Sequence, residues 1–380
     1  MSREGGLRLL HTEASMGWGG QEIRVLAETA WLNGHGHSAG LLAQPGSGLE
    51  RRARGAACPV TSLRLGRGPT PAAVARIAGH LRRARVELVV THSSVDAWCA
   101  GLAGRVAGVP VVRMRHLSVP VAANPLSRLV YTRLCDRVVT TAEAIRQLLI
   151  DRLGLPPKKV VSIPTGIDTA AFDPAAADGS ALRRELGLDS RVPLLGMAAV
   201  LRSWKGHLVF LEAFRRVRER RPDVQAVLVG EGPYRPIIAE AVTAHSLRDA
   251  VRLLGHRDDM PAVLAALDLV VSASTGGEGV PQALLQALAM ERPVVASAAG
   301  GVGEIVRPGE TGWLVPVGDA GALAEGILAA LGEPRRASEL GRAGRRLVAA
   351  SYSLDRMGSQ VVRCYREVLE ERAARGRLRP

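Results

Sequence analysis

Two cations stand three residues apart, shortly after an apolar run at residues 193–197 that has the composition of a buried strand. They are Arg202 and Lys205, and a segment with helical spacing follows them. At the carboxyl end of a parallel strand such a pair can clamp a diphosphate, because arginine chelates two oxygens and lysine acts as a point charge. A pair of solvated loop cations would have the same sequence, so both interpretations stay open here.

A carboxylate and an amide lie eight residues apart further along the chain. Glu278 lies in a glycine-rich loop with Gly279 and Val280, and residues 282–290, which include Gln286, have helical spacing. A carboxylate in such a loop can accept hydrogen bonds from sugar hydroxyls. Since the separation is roughly two helical turns, Gln286 is expected to point the same way. The alternative is that Glu278 only stabilises the amino terminus of the helix.

Two glycine pairs follow predicted strands and precede predicted helices. Gly19 and Gly20 form the first pair, and Gly300 and Gly301 form the second. Backbone N–H groups exposed in such turns suit phosphate oxygens. The first pair lacks the full G-x-G-x-x-G pattern, and many strand–helix turns hold glycine for conformational reasons. The pattern therefore indicates ligand contact without requiring it.

Histidine and cysteine form no metal-ligand pattern. His116 stands beyond the apolar run at residues 109–112, where it can contact a reacting group, although a lone histidine is more often a hydrogen-bonded loop residue. The four cysteines are scattered without paired spacing and are expected to be buried thiols. No metal site is predicted.

The elements that must position these residues alternate along the whole chain. Short apolar runs and amphipathic segments take turns, which is typical of βα units and parallel sheets. Residues 164–190, rich in Pro, Gly, Asp and Ala, predict a linker. We predict a first domain over 1–170, a second over 171–352, and a final helix in 353–380 whose apolar stripe returns to the first domain. The expected strands are residues 7–10, 87–90, 109–112, 137–140, 193–197, 225–229, 251–254, 269–272 and 293–296.

The charge is unusual for an otherwise ordinary globular composition. Apolar residues make up 47% of the 380 residues, yet the net charge is +14. Residues 51–115 hold twelve arginines against two acids. A basic face attracts nucleic acid, anionic lipid or a phosphorylated substrate, but an arginine-rich genome would produce the same bias. An aromatic content of 3% leaves few stacking platforms, which argues against nucleic acid.

The location is predicted from two missing signals in the sequence. No run approaches the roughly 18 apolar residues of a membrane-spanning helix. The first ten residues lack an apolar core followed by a cleavage site. The cytoplasm is therefore the expected location.

Taken in order, these segments resemble the retaining glycosyltransferases of family 4, which have the GT-B fold. The resemblance covers nearly the whole chain and is strongest in its second half. It depends on the joint order and spacing of short pieces, which no single piece would establish. They are residues 19–22, 109–112 with His116, 163–168, 205–206, 228–233, 278–286, 293–296, 300–301 and 309–312.

The resemblance implies an α/β fold of two Rossmann-like domains that face a central cleft. The second domain would bind mainly the donor nucleotide and the first mainly the acceptor. Catalytic roles would fall to Lys205, which stabilises the departing diphosphate, to Glu278, which orients the sugar, and to His116, which contacts the sugar or the reacting region. The donor-binding set would be Gly19, Gly20, Arg202, Lys205, Glu278, Gly279, Val280, Gln286, Gly300 and Gly301.

The implied reaction moves a sugar from a nucleotide diphosphate sugar to an acceptor hydroxyl with retained configuration. The nucleotide sugar is a co-substrate, and neither a further cofactor nor a metal is implied. Family acceptors include glycans and lipid-linked intermediates, so the expected role is in lipopolysaccharide, exopolysaccharide or other cell-envelope glycan synthesis. The basic first domain would then dock on the anionic inner face of the cytoplasmic membrane.

Three positions depart from the family pattern. Gln286 replaces the second of two paired glutamates and keeps only a neutral acceptor oxygen. Ala199 and Val200 stand where the family has an arginine before the lysine, which leaves Arg202 as the obvious substitute. Thr165 replaces the common asparagine before a glycine.

Other functions remain open on the sequence. A nucleotide-sugar 2-epimerase shares the architecture and would need further acid–base carboxylates. A catalytically silent nucleotide-sugar-binding protein would explain Gln286 and the missing arginine, and the charge alone would suit a nucleic-acid binder. The presence of Lys205, Glu278 and His116 favours an active transferase.

Overall fold

The computed structural model describes residues 5–66 and 68–377, and the chain separates into two compact units. Unit 1 is the chain up to Gly166 together with the chain from Leu354 onward, and unit 2 is Ile167–Ser353. Each unit is built around one parallel sheet.

Unit 1 contains a seven-stranded sheet covered by helices. Its strands are β1 (Arg8–Glu13), β2 (Ser38–Ala43), β3 (Val60–Ser62), β4 (Leu88–Thr91), β5 (Val111–Arg115), β6 (Arg137–Thr140) and β7 (Val160–Ser162). They are ordered β3-β2-β1-β4-β5-β6-β7 and pair in parallel throughout. Every residue of β4 is buried, as expected of a parallel strand with helices on both faces. The helices before residue 166 are α1 (Gly20–Gly34), α2 (Gly48–Gly55), α3 (Pro71–Arg83), α4 (Ser94–Ala107), α5 (Pro125–Thr132) and α6 (Glu143–Leu153).

Unit 2 contains a six-stranded parallel sheet. Its strands are β8 (Leu194–Ala198), β9 (Gln225–Val229), β10 (Val251–Gly255), β11 (Leu269–Ser272), β12 (Val294–Ser297) and β13 (Trp313–Val315), ordered β10-β9-β8-β11-β12-β13. Its helices are α7 (Ser180–Glu185), α8 (His207–Arg220), α9 (Arg235–Ala244), α10 (Met260–Ala266), α11 (Gln282–Ala289), α12 (Ala320–Gly332) and α13 (Pro334–Ser351). Phe210 and Phe214 of α8 stack at 5.7 Å in the apolar core.

The nine predicted strands all coincide with observed strands, and the predicted fold class of two Rossmann-like sheets is confirmed. Four observed strands were not predicted: β2, β3, β7 and β13. Three of these are only three residues long, which is too short for an apolar pattern to stand out. In β2 the residues Ser38 and Gly40 interrupt the apolar run.

The predicted linker is wrong for most of its length. Residues 167–190 belong to unit 2 and include α7, whose Leu182 is buried. Arg183 of the same helix donates to the Ala266 carbonyl at 3.0 Å and pairs with Asp268 at 2.7 Å. Proline and glycine in this stretch therefore mark turns of a packed segment and not a free connection.

The last helix, α14 (Leu354–Arg377), packs on unit 1, as its apolar stripe predicts. Val361 and Tyr365 lie fully buried in the core of that unit. Gly358 permits a close approach to α1, since a Cβ atom at this position would stand 2.3 Å from the indole ring of Trp31. The same indole donates from Nε1 to Asp355 at 2.7 Å, which fixes the helix in register.

Candidate active site

The residues predicted to bind the donor in unit 2 follow three adjacent strands. In the sheet, β8 neighbours β11 and β11 neighbours β12, and all three are parallel. Their carboxyl ends therefore lie at one edge, which carries Lys205 after β8, Glu278 after β11, and Gly300 after β12. This edge is where ligands bind in open α/β sheets.

Lys205 and Glu278 are in direct contact. Lys205 Nζ lies 2.6 Å from Glu278 Oε1, and the hydroxyl of Ser274 donates to the same oxygen at 2.5 Å. The Glu278 side chain is 6% exposed and that of Lys205 is 22% exposed, so the pair opens to solvent mainly on the lysine side. A buried carboxylate is thereby held by one cation and one hydroxyl, which satisfies its need for partners.

Backbone contacts between the two loops bring this pair together. Thr275 N–H donates to the Trp204 carbonyl at 2.8 Å. Gly206 has φ +72°, and a Cβ atom there would stand 1.8 Å from the carbonyl oxygen of Ala273. Only glycine fits this close approach and this backbone conformation. The short 3-10 turn at Ser203–Lys205 thus lies directly against the loop that carries Glu278.

Arg202, the proposed substitute for the missing arginine, lies outside this contact. Its side chain is exposed, and its guanidinium carbon lies 5.2 Å from the centre of the Trp204 ring. Within the described residues it makes no ion pair with Glu278. The structure thus places Arg202 on the same turn as Lys205 but stacked on an indole.

The remaining predicted donor residues of unit 2 lie in the Glu278 loop, on α11 and in the turn after β12. Gly279 and Val280 are buried in the Glu278 loop, and Gln286 is half-buried on α11. Gly300 has φ +56° and begins a 3-10 turn at Gly300–Glu304.

Three polar side chains at this edge were missed by the sequence interpretation. Gln282 Oε1, Ser297 Oγ and both ring nitrogens of His207 are buried without a hydrogen-bond partner among the described residues. Burial lowers the pKa of His207 to about 4, so its ring is neutral near pH 7. The sequence indicates these residues only by position: Ser297 ends β12, His207 begins α8 and Gln282 begins α11.

In unit 1 the first glycine pair begins α1. Gly19 is the N-cap residue of this 15-residue helix, and within the described residues no side-chain cap hydrogen bond is made there. Glu13, at the end of β1, lies just before this turn and is buried. Its carboxyl accepts from Ser15 N–H at 2.8 Å and from the Gln21 side-chain amide. Burial, together with the nearby charge of Asp96, raises the pKa of Glu13 to about 8.

Glu13 was missed because its burial cannot be seen in the sequence. A glutamate at the end of a predicted strand is normally solvated. Here the raised pKa favours a protonated carboxyl beside the helix amino terminus. It is a further candidate for the site in unit 1.

His116 directly follows β5, as predicted, but it is not a lone histidine. His116 Nε2 lies 3.0 Å from His92 Nδ1, and His92 Nε2 lies 3.0 Å from His11 Nδ1. The three rings come from β1 and from the ends of β4 and β5, which are neighbours in the sheet. Burial lowers the pKa of all three imidazoles, and that of His92 and His116 falls well below the ordinary value.

A cavity of about 390 Å³ lies in unit 1. Arg113 and Arg115 line it together with Trp98, Tyr131 and Leu126. The Arg113 guanidinium is buried and lies 5.7 Å from the centre of the Tyr131 ring, whereas Leu126 is 64% exposed. The cavity thus combines cationic groups inside with apolar side chains at its rim.

Three other features concern the described part of the chain: a metal-binding cluster, a membrane-spanning helix and disulfide bonds. Among residues 5–66 and 68–377 there is no cluster of three or more His, Cys, Asp or Glu side chains arranged to hold a metal ion. In the same part of the chain, no helix is long and apolar enough to cross a membrane. The four cysteines are buried free thiols, as predicted.

Comparison with known families matches both halves of the chain. Residues 18–171 match the model described as Glycosyltransferase Family 4, and residues 192–333 match the model described as Glycosyl transferases group 1. D-inositol 3-phosphate glycosyltransferase of Salinispora tropica is 30% identical over 81% of this chain and 68% of its own length. UDP-Gal:alpha-D-GlcNAc-diphosphoundecaprenol alpha-1,3-galactosyltransferase of Escherichia coli is 30% identical over 63% of this chain and 65% of its own.

Solved structures agree with these matches at the level of the fold. A glycosyltransferase from Rickettsia africae superposes with a TM-score of 0.86 at 22% identity, over 96% of this chain and 99% of that one. Anabaena HepE, solved with UDP and glucose, superposes with a TM-score of 0.83 at 20% identity, over 94% and 99%. These structures show the fold, while the two family models and the Salinispora relative establish that the chain belongs to the group 1, family 4 glycosyltransferases.

Proposed function

We propose that this glycosyltransferase moves a sugar from a nucleotide diphosphate sugar to a hydroxyl of a glycan or lipid-linked acceptor, with retained configuration and without a metal ion. The observation that carries the proposal is the Lys205–Glu278 pair at the carboxyl edge of the unit 2 sheet. A cation for the leaving diphosphate and a carboxylate for the sugar are the two groups that such a transfer needs.

In this mechanism Lys205 carries the largest electrostatic contribution. Its exposed side is free to meet a diphosphate oxygen, and the charge that builds on the leaving group strengthens that contact in the transition state. Glu278, still held by Ser274, accepts sugar hydroxyls and favours positive charge on the anomeric carbon. Gln286 contacts the ribose, and the amides of Gly300 and Gly301 contact phosphate oxygens. Attack from the face of the leaving group would retain the configuration.

The cavity in unit 1 supports an amphiphilic acceptor. Arg113 and Arg115 supply positive charge inside it, and Trp98 and the exposed Leu126 supply apolar surface. A phosphorylated lipid combines these two requirements, and the Escherichia coli relative is named for a diphosphoundecaprenol acceptor. We therefore place the acceptor in this cavity and the role of the protein in cell-envelope glycan synthesis.

Docking on an anionic membrane is a further part of the proposal. Of the twelve arginines in residues 51–115, Arg113 is buried and Arg115 is half-buried, so these two do not belong to a docking face. Arginines of α2 and α3 that are exposed remain available, for example Arg51, Arg76 and Arg83. Each contributes about 1 kcal/mol near an anionic bilayer. Binding to anionic vesicles at low salt that disappears in about 0.5 M salt is expected, whereas equal binding to neutral vesicles would contradict it.

A nucleotide-sugar 2-epimerase is the second candidate, and one observation favours it. Glu13, with its raised pKa, is a buried carboxyl suited to acid–base chemistry. Thermal-shift screening of nucleotide sugars, with UDP-glucose included, identifies the donor. The stabilising donor is then incubated with and without acceptor, and the products are identified by NMR. An α-linked product from an α-linked donor supports the transferase; a C2 epimer formed without acceptor supports the epimerase instead.

A further inference from the structure

Three buried imidazoles form a continuous chain that starts at His116. The two nitrogen–nitrogen contacts, His116 to His92 and His92 to His11, are both 3.0 Å. Both pairs of ring centres are 5.3 Å apart. His11 is 0% exposed, His92 is 3% and His116 is 9%, so only the His116 end approaches solvent.

The inner end of the row of imidazoles lies near a carboxylate, but among the described residues His11 Nε2 has no hydrogen-bond partner. His11 Nε2 lies 3.9 Å from Glu28 Oε1 on α1. Glu28 has Arg24 Nε at 3.5 Å and accepts a hydrogen bond from the Tyr365 hydroxyl at 2.5 Å. Glu28 thus has a buried guanidinium beside it and a hydroxyl that donates to it.

The charge of the Glu28 side chain bears on where the protons of the three imidazoles lie. A neutral imidazole has one N–H donor and one acceptor nitrogen. The negative charge of Glu28 favours the tautomer with the His11 proton on Nε2, which leaves Nδ1 of His11 as an acceptor. His92 must then donate from Nε2, and its Nδ1 must accept from Nε2 of His116.

We propose that Glu28, acting through His11 and His92, holds His116 in the tautomer with the proton on Nε2 and so presents Nδ1 of His116 as a hydrogen-bond acceptor for a substrate hydroxyl. The inference rests on the proposed function in one respect, namely that His116 contacts the substrate. No hydrogen bond to a described residue occupies His116 Nδ1. His11 and His92 are positioning residues in this scheme.

The order of protons selects a class of ligand. A bare Nδ1 accepts from a sugar hydroxyl and repels a phosphate oxygen, which has no proton to donate. The lowered pKa values support a neutral chain, since burial and the nearby Arg24 and Arg113 charges all disfavour imidazolium at His92 and His116. The diphosphate is therefore left to the lysine of unit 2, and His116 recognises a hydroxyl.

Nitrogen-15 NMR of the full chain, labelled at histidine, tests the proton order directly. Protonated and bare ring nitrogens have distinct shifts, and His116→Asn assigns the His116 signals. We expect protonated Nε2 and bare Nδ1 in all three rings, without titration between about pH 6 and pH 8. A protonated Nδ1 in His116, or an imidazolium in that range, would overturn the inference whether or not the protein is active.

Two variants test whether Glu28 determines the tautomers of the three histidines. Glu28→Gln replaces the carboxylate by a group that can donate to His11, so the tautomers should reverse in part or fully. Tyr365→Phe keeps the carboxylate and should leave the tautomers unchanged, so it controls for the loss of a buried hydrogen bond at Glu28. If Glu28→Gln does not fold, the proton order measured in the unmodified protein still tests the inference. Reversal in Tyr365→Phe, or none in a folded Glu28→Gln, would assign the order to something other than Glu28.

Kinetics separate this inference from the proposed function. His92→Phe removes both contacts while keeping a ring of similar shape, and it should lower kcat about 10-fold or more with donor KM little changed. The matched control is His80→Phe. It alters a half-buried histidine of α3 that does not belong to the row of three imidazoles. If the tautomers are as expected but no transferase activity exists, the proposed function fails and the inferred proton order stands. If activity exists and His92→Phe is silent, the positioning role of His92 is wrong.

Discussion

Lys205 Nζ lies 2.6 Å from Glu278 Oε1, although the two residues are 73 positions apart in the chain. Each side chain comes from a loop that leaves one of two adjacent parallel strands. The cation proposed for the diphosphate and the carboxylate proposed for the sugar therefore neutralise each other when no donor is bound. A bound donor must contact Lys205 Nζ and Glu278 Oε1 while these two atoms also contact each other. The binding and catalytic roles of the two residues are therefore coupled.

Lys205→Ala should lower kcat/KM by about 10²–10³-fold, because the charge on the departing diphosphate loses its cation. The contact with Glu278 adds a second effect. The carboxylate loses a partner in a buried site, so the unfolding free energy should fall by about 1–3 kcal/mol. Steady-state kinetics and thermal unfolding measure the two effects. Lys158→Ala, at an exposed position of unit 1, is the control, and near-normal turnover in Lys205→Ala would remove the lysine from the mechanism.

Glu278→Gln should reduce turnover by about 10²-fold or more, because part of the carboxylate contribution exists only in the transition state. Gln286→Ala should instead raise donor KM by an amount that matches one neutral hydrogen bond, about 0.5–1.5 kcal/mol. Gln286→Glu, which restores the family pair, should be tolerated. The values of kcat and KM for the three variants test the two assigned roles. If Glu278→Gln keeps normal activity and Gln286→Glu has none, the roles of Glu278 and Gln286 are reversed.

Arg202→Ala tests whether this arginine replaces the one missing from the family pattern. Since its guanidinium is exposed and stacked near Trp204, we expect a weaker effect than for Lys205: donor KM rises by about 10-fold and kcat changes little. Calorimetric titration with the donor measures the affinity. Arg248→Ala, on the surface of unit 2, provides the comparison, and an unchanged affinity in Arg202→Ala would exclude Arg202 as the substitute.

Glu13 should make stability depend on pH. Its pKa rises from 4.5 to about 8 in the folded chain, so the folded state keeps a proton that the unfolded state has lost. The free energy of unfolding should therefore fall as pH increases from about 4.5 to about 8, by up to about 1.4 kcal/mol per pH unit, and level off above that. Thermal unfolding across this range should have a smaller slope in Glu13→Gln, and Glu240→Gln is the exposed control. Equal slopes in Glu13→Gln and the unmodified chain would contradict a protonated Glu13.

Gly358→Ala should destabilise unit 1 by about 1–3 kcal/mol, because the added methyl group would collide with the indole of Trp31. The melting temperature should drop accordingly. Gly34→Ala provides the matched control in the same unit, since nothing lies within 4 Å of a Cβ atom at that helix end. An equal or higher melting temperature for Gly358→Ala would mean that α14 does not pack on Trp31 as observed.

Local patterns in the sequence were sufficient to predict the class of fold, and they proposed residues for the donor side. Apolar runs predicted strands such as β8 and β11, because a parallel strand covered on both faces must be apolar along its length. The place of Lys205 and Glu278 after such runs predicted a strand end for each of them, and the sheet order shows that the two ends are neighbours. The stripe of the last helix predicted a return to the first unit, since an apolar face must be buried against something. The roles of these residues in catalysis remain predictions.

Only the tertiary structure decided which of these groups touch. The order of strands in a sheet is set by crossover connections, so no local pattern places β1, β4 and β5 side by side or joins His11, His92 and His116. Burial likewise depends on elements distant in the chain, and this is why Glu13 reads as an ordinary surface acid in the sequence but holds a proton in the fold. The sequence determines which chemical groups stand at strand ends. The packing of remote segments determines their partners and their protonation.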